Sequence, residues 1–173
     1  MDTNLYYSTH DSAIGTLLLV ASARGLSYVT LLGADTKPET RIAEKFKDRT
    51  VTQLDGFFTT TKTAIDSFLK GDGPLKLPVD LIGGTALQRS VWLQIARIPY
   101  GQTISYTTLA EKVGFPRAVR AVASACGANP VPLAIPCHRV LSKDGTLGGF
   151  SLGGIEVKDI LLKAESTPSS AAA

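Results

Sequence analysis

The sequence contains few of the residues that build metal sites and disulfide frameworks. Only two cysteines, Cys126 and Cys137, and two histidines, His10 and His138, occur among its 173 residues. Neither histidine lies in a cluster with the ligand spacing of a zinc site. Two cysteines without a charged and apolar N-terminal leader are not typical of a small secreted protein. We therefore expect no metal ion and a reducing compartment, which is the cytoplasm or, in a eukaryote, the nucleus.

Long apolar runs and a strong excess of one charge are also missing. No uninterrupted apolar run approaches the roughly 20 residues that cross a bilayer, so we expect no membrane partner. The formal net charge is only +3, but it is unevenly distributed. Residues 1–84 carry 9 Lys and Arg against 10 Asp and Glu, whereas residues 85–139 carry six basic residues and the single acid Glu111. The second segment is therefore where a polyanion would be held.

The first half of the sequence has the pattern of a small sheet with helices. Hydrophobic residues make up 44% of the chain, enough for one compact domain or two small ones. Residues 5–9, 14–21 and 25–32 are rich in β-branched, aromatic and aliphatic side chains and are separated by turn signals, which predicts an antiparallel meander. Helices are predicted at residues 38–47 and 55–69, where both would cover one face of the sheet.

Glycines and prolines between residues 71 and 84 indicate a domain boundary. We place an N-terminal sheet-plus-helix domain at residues 1–84 and a C-terminal domain at residues 85–165. The last helix of the second domain is predicted at residues 155–164. Residues 166–173 are rich in Ser, Thr, Pro and Ala, and we expect them to be a disordered tail.

Three further helices are predicted in the C-terminal domain. Thr85 is an N-cap for a helix at residues 86–97, and Ser105 is an N-cap for one at residues 106–113. A Gly-Phe-Pro turn leads to the next helix, at residues 117–126. Two short helices around a glycine-containing turn are typical of a helix-turn-helix, and the whole pattern predicts an α+β protein.

Cys137 and His138 place a nucleophile beside a base. A free thiol has a pKa of about 8.5 and needs a base or a positive neighbour to form a thiolate near neutral pH. Adjacent side chains do not normally face each other, so His138 would act through a bend or a bridging water. From these residues alone, the alternative is a buried cysteine beside a structural histidine.

The surroundings of Cys137 resemble those in the O6-alkylguanine-DNA alkyltransferases. Residues 136–140 (PCHRV) are similar to the active-site motif of that family. Matches in the family's order and spacing occur at residues 98–101, 105–106, 120–122, 129–130, 153–154, 158, 161–162 and 165. The resemblance is specific over residues 86–165. In the N-terminal third, only the order of the predicted strands and helices resembles the family. The resemblance implies a ribonuclease H-like N-terminal sheet with helices and a C-terminal helical domain that contains a helix-turn-helix.

The resemblance also implies a chemistry. Cys137 would accept an alkyl group from the O6 atom of guanine, and His138 would take its proton through water. Glu165 would orient the imidazole, Asn129 would brace the turn that carries the cysteine, and Tyr106 would donate a hydrogen bond to the flipped base. Asn129 in an ordinary Asn-Pro turn and Tyr106 as a packing residue are the alternatives. A thioether product does not hydrolyse, so each chain would react once and would need no cofactor.

A damaged duplex is the partner that the resemblance implies. The O6 substituent lies inside the base stack, so the nucleotide must rotate out, and Arg120 would take its place from the minor groove. Residues implied to contact DNA are Thr107, Arg117, Arg120, Ala121 and Ser124. Residues implied to hold the alkylguanine are Tyr106, Arg120, Val140, Phe150 and Ser151, where Phe150 replaces the usual tyrosine. We expect a monomer in solution and leave cooperative binding on DNA open.

Three other functions remain possible at this level. A damage-binding module would flip the base without reacting, but the alkyltransferase-like proteins that do so lack the acceptor cysteine, which is present here. A cysteine hydrolase would need an oxyanion hole. A transcription regulator built on an alkyltransferase would need further metal-binding domains. For Arg120 the alternative is a solvated surface arginine, and we expect Cys126 to be buried and inert.

Overall fold

Residues 4–166, which the computed structural model describes, form a mixed α+β fold with six α-helices and a four-stranded sheet. The strands β1 (Leu5–Ser12), β2 (Gly15–Ser22) and β3 (Gly25–Leu31) form the predicted antiparallel meander. A strand that the sequence did not reveal, β4 (Val51–Gln53), pairs in parallel with β1. The sheet order is β3-β2-β1-β4, so the expectation of a purely antiparallel sheet is wrong at this edge. Three residues are too few to show a period of two, and only their pairing identifies them as a strand.

Both faces of this sheet are buried. Alternate residues of β2 enter two separate cores, because successive side chains of a strand point to opposite faces. Leu17 and Leu19 belong to the main core, whereas Leu18 and Val20 belong to a smaller core. Burying each such side chain fully stabilises the fold by about 1.5–3 kcal/mol.

The first two helices lie on opposite faces of the sheet. Helix α1 (Pro38–Lys45) contributes Ile42 to the smaller core, and α2 (Thr59–Leu69), which follows a short 3-10 helix (Asp55–Phe58), contributes Ile65 and Phe68 to the main core. The expectation that both helices cover one face is therefore wrong. The unbroken apolar run of β2 is the physical reason, since a strand with water on one face would alternate with polar residues.

The remaining helices are α3 (Ala86–Ile95), α4 (Tyr106–Lys112), α5 (Val119–Gly127) and α6 (Gly154–Ser166). Thr85 and Ser105 cap α3 and α4 as predicted, each accepting a backbone N–H three residues on. Helix α5 begins two residues later than predicted. The Ala118 N–H donates to the carbonyl of Phe115 (2.9 Å) and closes a turn that contains Arg117.

The end of the chain differs slightly from the prediction. Ser166, which we assigned to the disordered tail, is the last residue of α6. Residues 167–173 of the predicted tail lie outside the described residues. No helix within residues 4–166 is long and apolar enough to cross a membrane.

The main core contains residues from both sides of the predicted domain boundary, which itself stays a prediction. The connecting segment runs along the free edge of β3, where the Leu26 N–H donates to the carbonyl of Pro78 (2.9 Å) and the Leu26 carbonyl accepts from Asp80 (2.8 Å). Further along the same strand, the Val29 N–H donates to the carbonyl of Pro130 (2.9 Å). The sheet thereby holds the turn that leads to Cys137.

Candidate active site

Cys137 is positioned by a tight turn that Asn129 fixes from inside. The Asn129 Nδ2 donates to the carbonyl of Ile135 (2.8 Å), and its Oδ1 accepts from the N–H of Val131 (3.0 Å). Leu133 within this turn has a φ of 75°, which is uncommon for a residue with a side chain. Cys137 then begins a 3-10 helix (Cys137–Arg139). One buried amide side chain therefore holds both arms of the turn.

A short strand pair brings a tyrosine to the cysteine. The strand β5 (Ile104–Ser105) pairs in parallel with β6 (Val140–Leu141), with Ile104 opposite Val140. Tyr106 directly follows β5, as the first residue of α4, and Cys137 lies three residues before β6. Neither strand was predicted, because two residues carry no periodic signal.

Cys137 and Tyr106 line one cavity of about 510 Å³, here called the Cys137 cavity. Its wall also includes Ser124, Cys126, Phe150 and Ser151, together with alanine, serine and glycine residues. Val140 was predicted to bind substrate, but it does not line this cavity, because its side chain is buried in the main core. Within the described residues, no group of three or more His, Cys, Asp or Glu side chains could hold a metal ion.

Glu165 is the centre of a buried ionic network. It accepts hydrogen bonds from Arg139 Nε and Nη2 (2.7–3.0 Å) and from the Gly101 N–H (3.1 Å), and its Oε1 lies 2.6 Å from Nε2 of His138. Burial opposes ionisation of the carboxyl, but the bonds from His138 and Arg139 outweigh it and hold its pKa at about 2. An ionised carboxylate can only accept, so Nε2 of His138 carries the hydrogen.

His138 is held as a neutral base. Its side chain is completely buried, and burial lowers its pKa further than the neighbouring Glu165 raises it. With the hydrogen on Nε2, the lone pair is on Nδ1, which has no hydrogen-bond partner among the described residues. The imidazole lies between Phe68 and Phe150, with ring centroids 6.1 and 6.4 Å away. The arrangement fixes both the tautomer and the orientation of the ring.

The groups that face the cavity are protonated at rest. Burial raises the pKa of Cys137 to about 11, although a hydrogen bond from Asn129 and the charge of Lys158 both lower it. Burial also raises the pKa of Tyr106 to about 12 and that of Cys126 to about 12. Cys137 therefore needs a base to react near neutral pH, and Tyr106 keeps a hydrogen to donate.

Sequence reasoning gave no role to Lys158, which lies close to the site. Its Nζ donates to the carbonyls of Val140 (2.7 Å), Leu147 and Gly149, and it lies 5.9 Å from the ring centroid of Tyr106. The side chain is completely buried, and burial lowers its pKa. The sequence did contain a signal that Lys158 is buried. It lies at helical spacing from Leu161 and Glu165, which are also buried on α6.

The residues predicted to contact DNA mostly share one exposed face. Arg120, Ala121 and Ser124 are exposed on α5, while Val122 and Cys126 on the same helix are buried. Arg117 is exposed in the preceding turn, and Thr107 is half-buried on α4. Ser124 is the one of these five that reaches the Cys137 cavity.

Comparison with known proteins identifies the family. A family model described as the 6-O-methylguanine DNA methyltransferase, DNA binding domain, matches residues 86–167. The methylated-DNA–protein-cysteine methyltransferase of Methanosarcina barkeri is 36% identical to this chain over 93% of it and 97% of the relative. The chain belongs to this methyltransferase family. The resemblance inferred from the motifs around Cys137 is thus confirmed.

Solved structures of the family agree in fold. The Mycobacterium tuberculosis O6-methylguanine methyltransferase has a TM-score of 0.80 and 33% identity, covering 96% of this chain and 97% of that one. The M. tuberculosis protein in complex with DNA has a TM-score of 0.78 and 34% identity, covering 92% of each chain. The Escherichia coli bifunctional transcriptional activator/DNA repair enzyme Ada is 40% identical over 92% of this chain, which spans only 45% of Ada.

Proposed function

We propose that this protein repairs DNA by transferring the alkyl group of O6-alkylguanine in a duplex to Sγ of Cys137. The observation that carries the proposal is the arrangement behind the cavity. A buried thiol adjoins a neutral histidine whose Nδ1 has no hydrogen-bond partner within residues 4–166, and an ionised glutamate fixes that histidine. Membership in a family of methylated-DNA–protein-cysteine methyltransferases supports the substrate class.

The reaction follows from the protonation states. His138 Nδ1 takes the thiol proton through a bridging water, and Glu165 stabilises the imidazolium that forms. The thiolate attacks the alkyl carbon, so an S–C bond forms while the C–O6 bond breaks and its electron pair stays on the purine. Tyr106, still protonated because its pKa is about 12, donates a hydrogen bond to the purine as negative charge develops.

The product explains why each chain acts once. A thioether lacks the activated carbonyl that lets an acyl-cysteine hydrolyse, so the alkyl group stays on Cys137. The thiolate displaces the purine directly, and no cofactor takes part. We propose that the protein acts as a monomer.

DNA binding is assigned to the exposed face of α5. We propose that α4, the turn at residues 113–118 and α5 form a helix-turn-helix whose second helix enters the minor groove. Small exposed residues such as Ala121 and Ser124 support this, because they let the helix backbone approach DNA closely. Arg120 then fills the space that the extruded nucleotide leaves. A sheet covered on both faces supports a ribonuclease H-like N-terminal half.

Intact-protein mass after mixing with excess duplex that carries O6-methylguanine tests the proposed reaction. We expect one methyl group per chain, mapped to Cys137 and absent from a Cys137→Ala variant. Tight binding of the lesion without a gain in mass would show a damage sensor instead. Release of alkyl product with repeated turnover, or turnover of an ester, would show a cysteine hydrolase.

The extrusion step is tested by Arg120→Ala with Arg117→Ala as the matched control. Rotating a nucleotide out of the duplex costs a few kcal/mol, and a free alkylguanine base does not require it. We expect Arg120→Ala to slow repair of the duplex at least tenfold while reaction with the free base is unchanged. Arg117→Ala should affect the duplex less. Equal losses on duplex and free base would contradict the assignment of Arg120.

A further inference from the structure

A second cavity lies next to the Cys137 cavity, and Gly127 and Ser151 line both. This second cavity, here called the Lys45 cavity, has a volume of about 250 Å³. Its wall comes from four regions: residues 28–30 of β3, Lys45 at the end of α1, residues 127–130 and Pro132 at the end of α5 and in the turn that leads to Cys137, and residues 151–152. The sheet half of the protein therefore reaches the end of α5.

The Lys45 cavity is suited to an anion. Lys45 is the only charged residue among those that line it. Its side chain is exposed, and its Nζ lies 5.3 Å from the ring centroid of Tyr28, which also lines the cavity, in a cation–π contact. The Tyr28 ring is itself fixed by an edge-on contact with Phe46, at 5.8 Å between centroids. A cation thus lies beside a cavity whose lining has no carboxylate.

The cavity lies at the end of the face that we assign to DNA. Arg120, Ser124 and Gly127 follow one another along the exposed side of α5, and Gly127 and Ala128 line the Lys45 cavity. From Arg120 to Gly127 the helix advances about 10 Å. Nucleotides of one strand rise about 3.4 Å each along the duplex axis, so a strand along this face reaches the cavity after about three nucleotides.

We propose that the Lys45 cavity binds a backbone phosphate of the DNA strand that lies along α5. The inference rests on the proposed function and extends it, because it gives the sheet half a direct part in holding DNA. A phosphate contact carries no sequence information, so it strengthens binding to damaged and undamaged duplexes alike. It also adds to the salt dependence of binding, since each neutralised phosphate releases counterions.

Lys45→Gln tests this, with Lys47→Gln as the matched control. Lys47 lies two residues further on, loses the same charge when substituted, and lines a different cavity together with Glu39. Binding of an undamaged duplex and of an O6-methylguanine duplex is measured by fluorescence anisotropy over a series of salt concentrations. For Lys45→Gln we expect weaker binding of both duplexes and a salt slope smaller by about 0.9, the value for one phosphate. Lys47→Gln should keep the slope, and Lys45→Arg should restore it.

Several results would overturn the proposal. An unchanged slope, or an equal fall in Lys47→Gln, would show that Lys45 makes no specific phosphate contact. Weaker binding with the same slope would mean that the cavity takes an uncharged part of the DNA. Slower reaction of Lys45→Gln with free O6-methylguanine base would mean that Lys45 acts through the Cys137 cavity instead. Methyl transfer by the unsubstituted protein is measured in the same series. If that transfer occurs, these results contradict only the phosphate contact of Lys45; if it does not occur, the proposed function itself is wrong.

Discussion

The interior and the rim of the Cys137 cavity are built in opposite ways. Behind the cysteine lies a charged cluster, formed by the ions Arg139, Lys158 and Glu165 together with the neutral His138, and none of these residues is more than 7% exposed. Charge-assisted hydrogen bonds fix their positions before any substrate arrives. The rim consists of the exposed face of α5 and residues 148–153, which are mostly small and uncharged. In the proposed mechanism the chemistry is thus preorganised, while the substrate would enter past small residues and a loop.

Glycine determines the shape of the rim. Gly148 has a φ of 67°, and a Cβ there would lie 3.0 Å from Oγ of Ser142. Gly153 has a φ of 80°, and a Cβ there would lie 2.5 Å from Cγ2 of Val157 and 2.7 Å from Cδ1 of Leu31. Side chains at these positions would force the loop away from β3 and α6. The rim therefore depends on the absence of side chains, whereas the charged cluster depends on their presence.

The largest effect is expected when the charged cluster loses its central carboxylate. In Glu165→Gln the amide can donate to Nε2 of His138 and move the histidine hydrogen to Nδ1, where it blocks proton uptake from Cys137. We expect the single-turnover rate of methyl transfer to a duplex to fall about 10²–10⁴-fold. The loss should narrow as pH rises towards the thiol pKa of about 11, where Cys137 ionises without a base.

Circular dichroism and duplex affinity are the controls for that variant. Both should stay close to those of the unsubstituted protein, because the rim is unchanged. A folded Glu165→Gln protein with an undiminished rate would show that the histidine tautomer does not govern the reaction.

Acid should destabilise the protein through the charged cluster in two steps. The His138 pKa is lowered below its usual 6.5, so the unfolded state binds a proton first and stability falls as pH drops below 6.5. The Glu165 pKa is lowered from 4.5 to about 2, so its contribution is complete above pH 4.5 and is lost as pH falls towards 2. The second step is worth roughly 3 kcal/mol.

Urea denaturation measures the free energy of unfolding. Comparing it above pH 6.5, between pH 6.5 and 4.5, and below pH 4.5 detects both steps. Glu165→Gln should lack the lower step. If that variant loses stability between pH 4.5 and 2 as steeply as the unsubstituted protein, other carboxyls cause the acid unfolding.

Lys158→Met removes a cation from the cluster while keeping a side chain of similar length. The carbonyls of Val140 and Leu147 lose their donor, at about 1–3 kcal/mol for each buried group left unpaired. The charge that lowers the Cys137 pKa is also lost. We expect methyl transfer to slow about tenfold.

The rate of methyl transfer against pH distinguishes an electrostatic role of Lys158 from a purely structural one. The profile should move to higher pH in Lys158→Met. A lower rate with the same pH profile would mean that Lys158 only supports the loop.

Cys126→Ala should have the smallest effect, since Cys126 lines the cavity but has no base. Its pKa of about 12 keeps it a thiol near neutral pH. We expect a rate within about twofold of the unsubstituted protein, with the methyl group still on Cys137. Mapping the methylated residue by peptide mass spectrometry checks this. A methyl group found on Cys126 in the unsubstituted protein would contradict our assignment of a single acceptor.

Local signals in the sequence were enough for much of the fold. The β-branched, aromatic and aliphatic residues of β1, β2 and β3 predicted three strands, and the caps Thr85 and Ser105 predicted the starts of two helices. The strand β4 and the placement of α1 and α2 on opposite faces depend on pairing between distant segments, which local periodicity does not encode.

The candidate site was also predictable from the sequence only in part. Motif resemblance brought together Cys137, His138 and Glu165. In the structure His138 is hydrogen-bonded to Glu165, and Cys137, the residue before His138, lines the cavity. Arg139 and Lys158 belonged to the matching motifs but received no role, because their partners are a distant carboxylate and main-chain carbonyls. Side-chain identity alone does not reveal a partner that is a backbone atom.

The hydrogen bond from Val29 on β3 to Pro130 has a consequence for exchanging parts between relatives. The turn that leads to Cys137 accepts this hydrogen bond from the sheet half of the chain, and the main core likewise contains residues of both halves. In a chimera joined near Gly84, the turn before Cys137 would therefore lie against a sheet from a different protein. If Cys137 accepts the alkyl group as we propose, grafting it onto another scaffold requires transferring the edge of β3 as well.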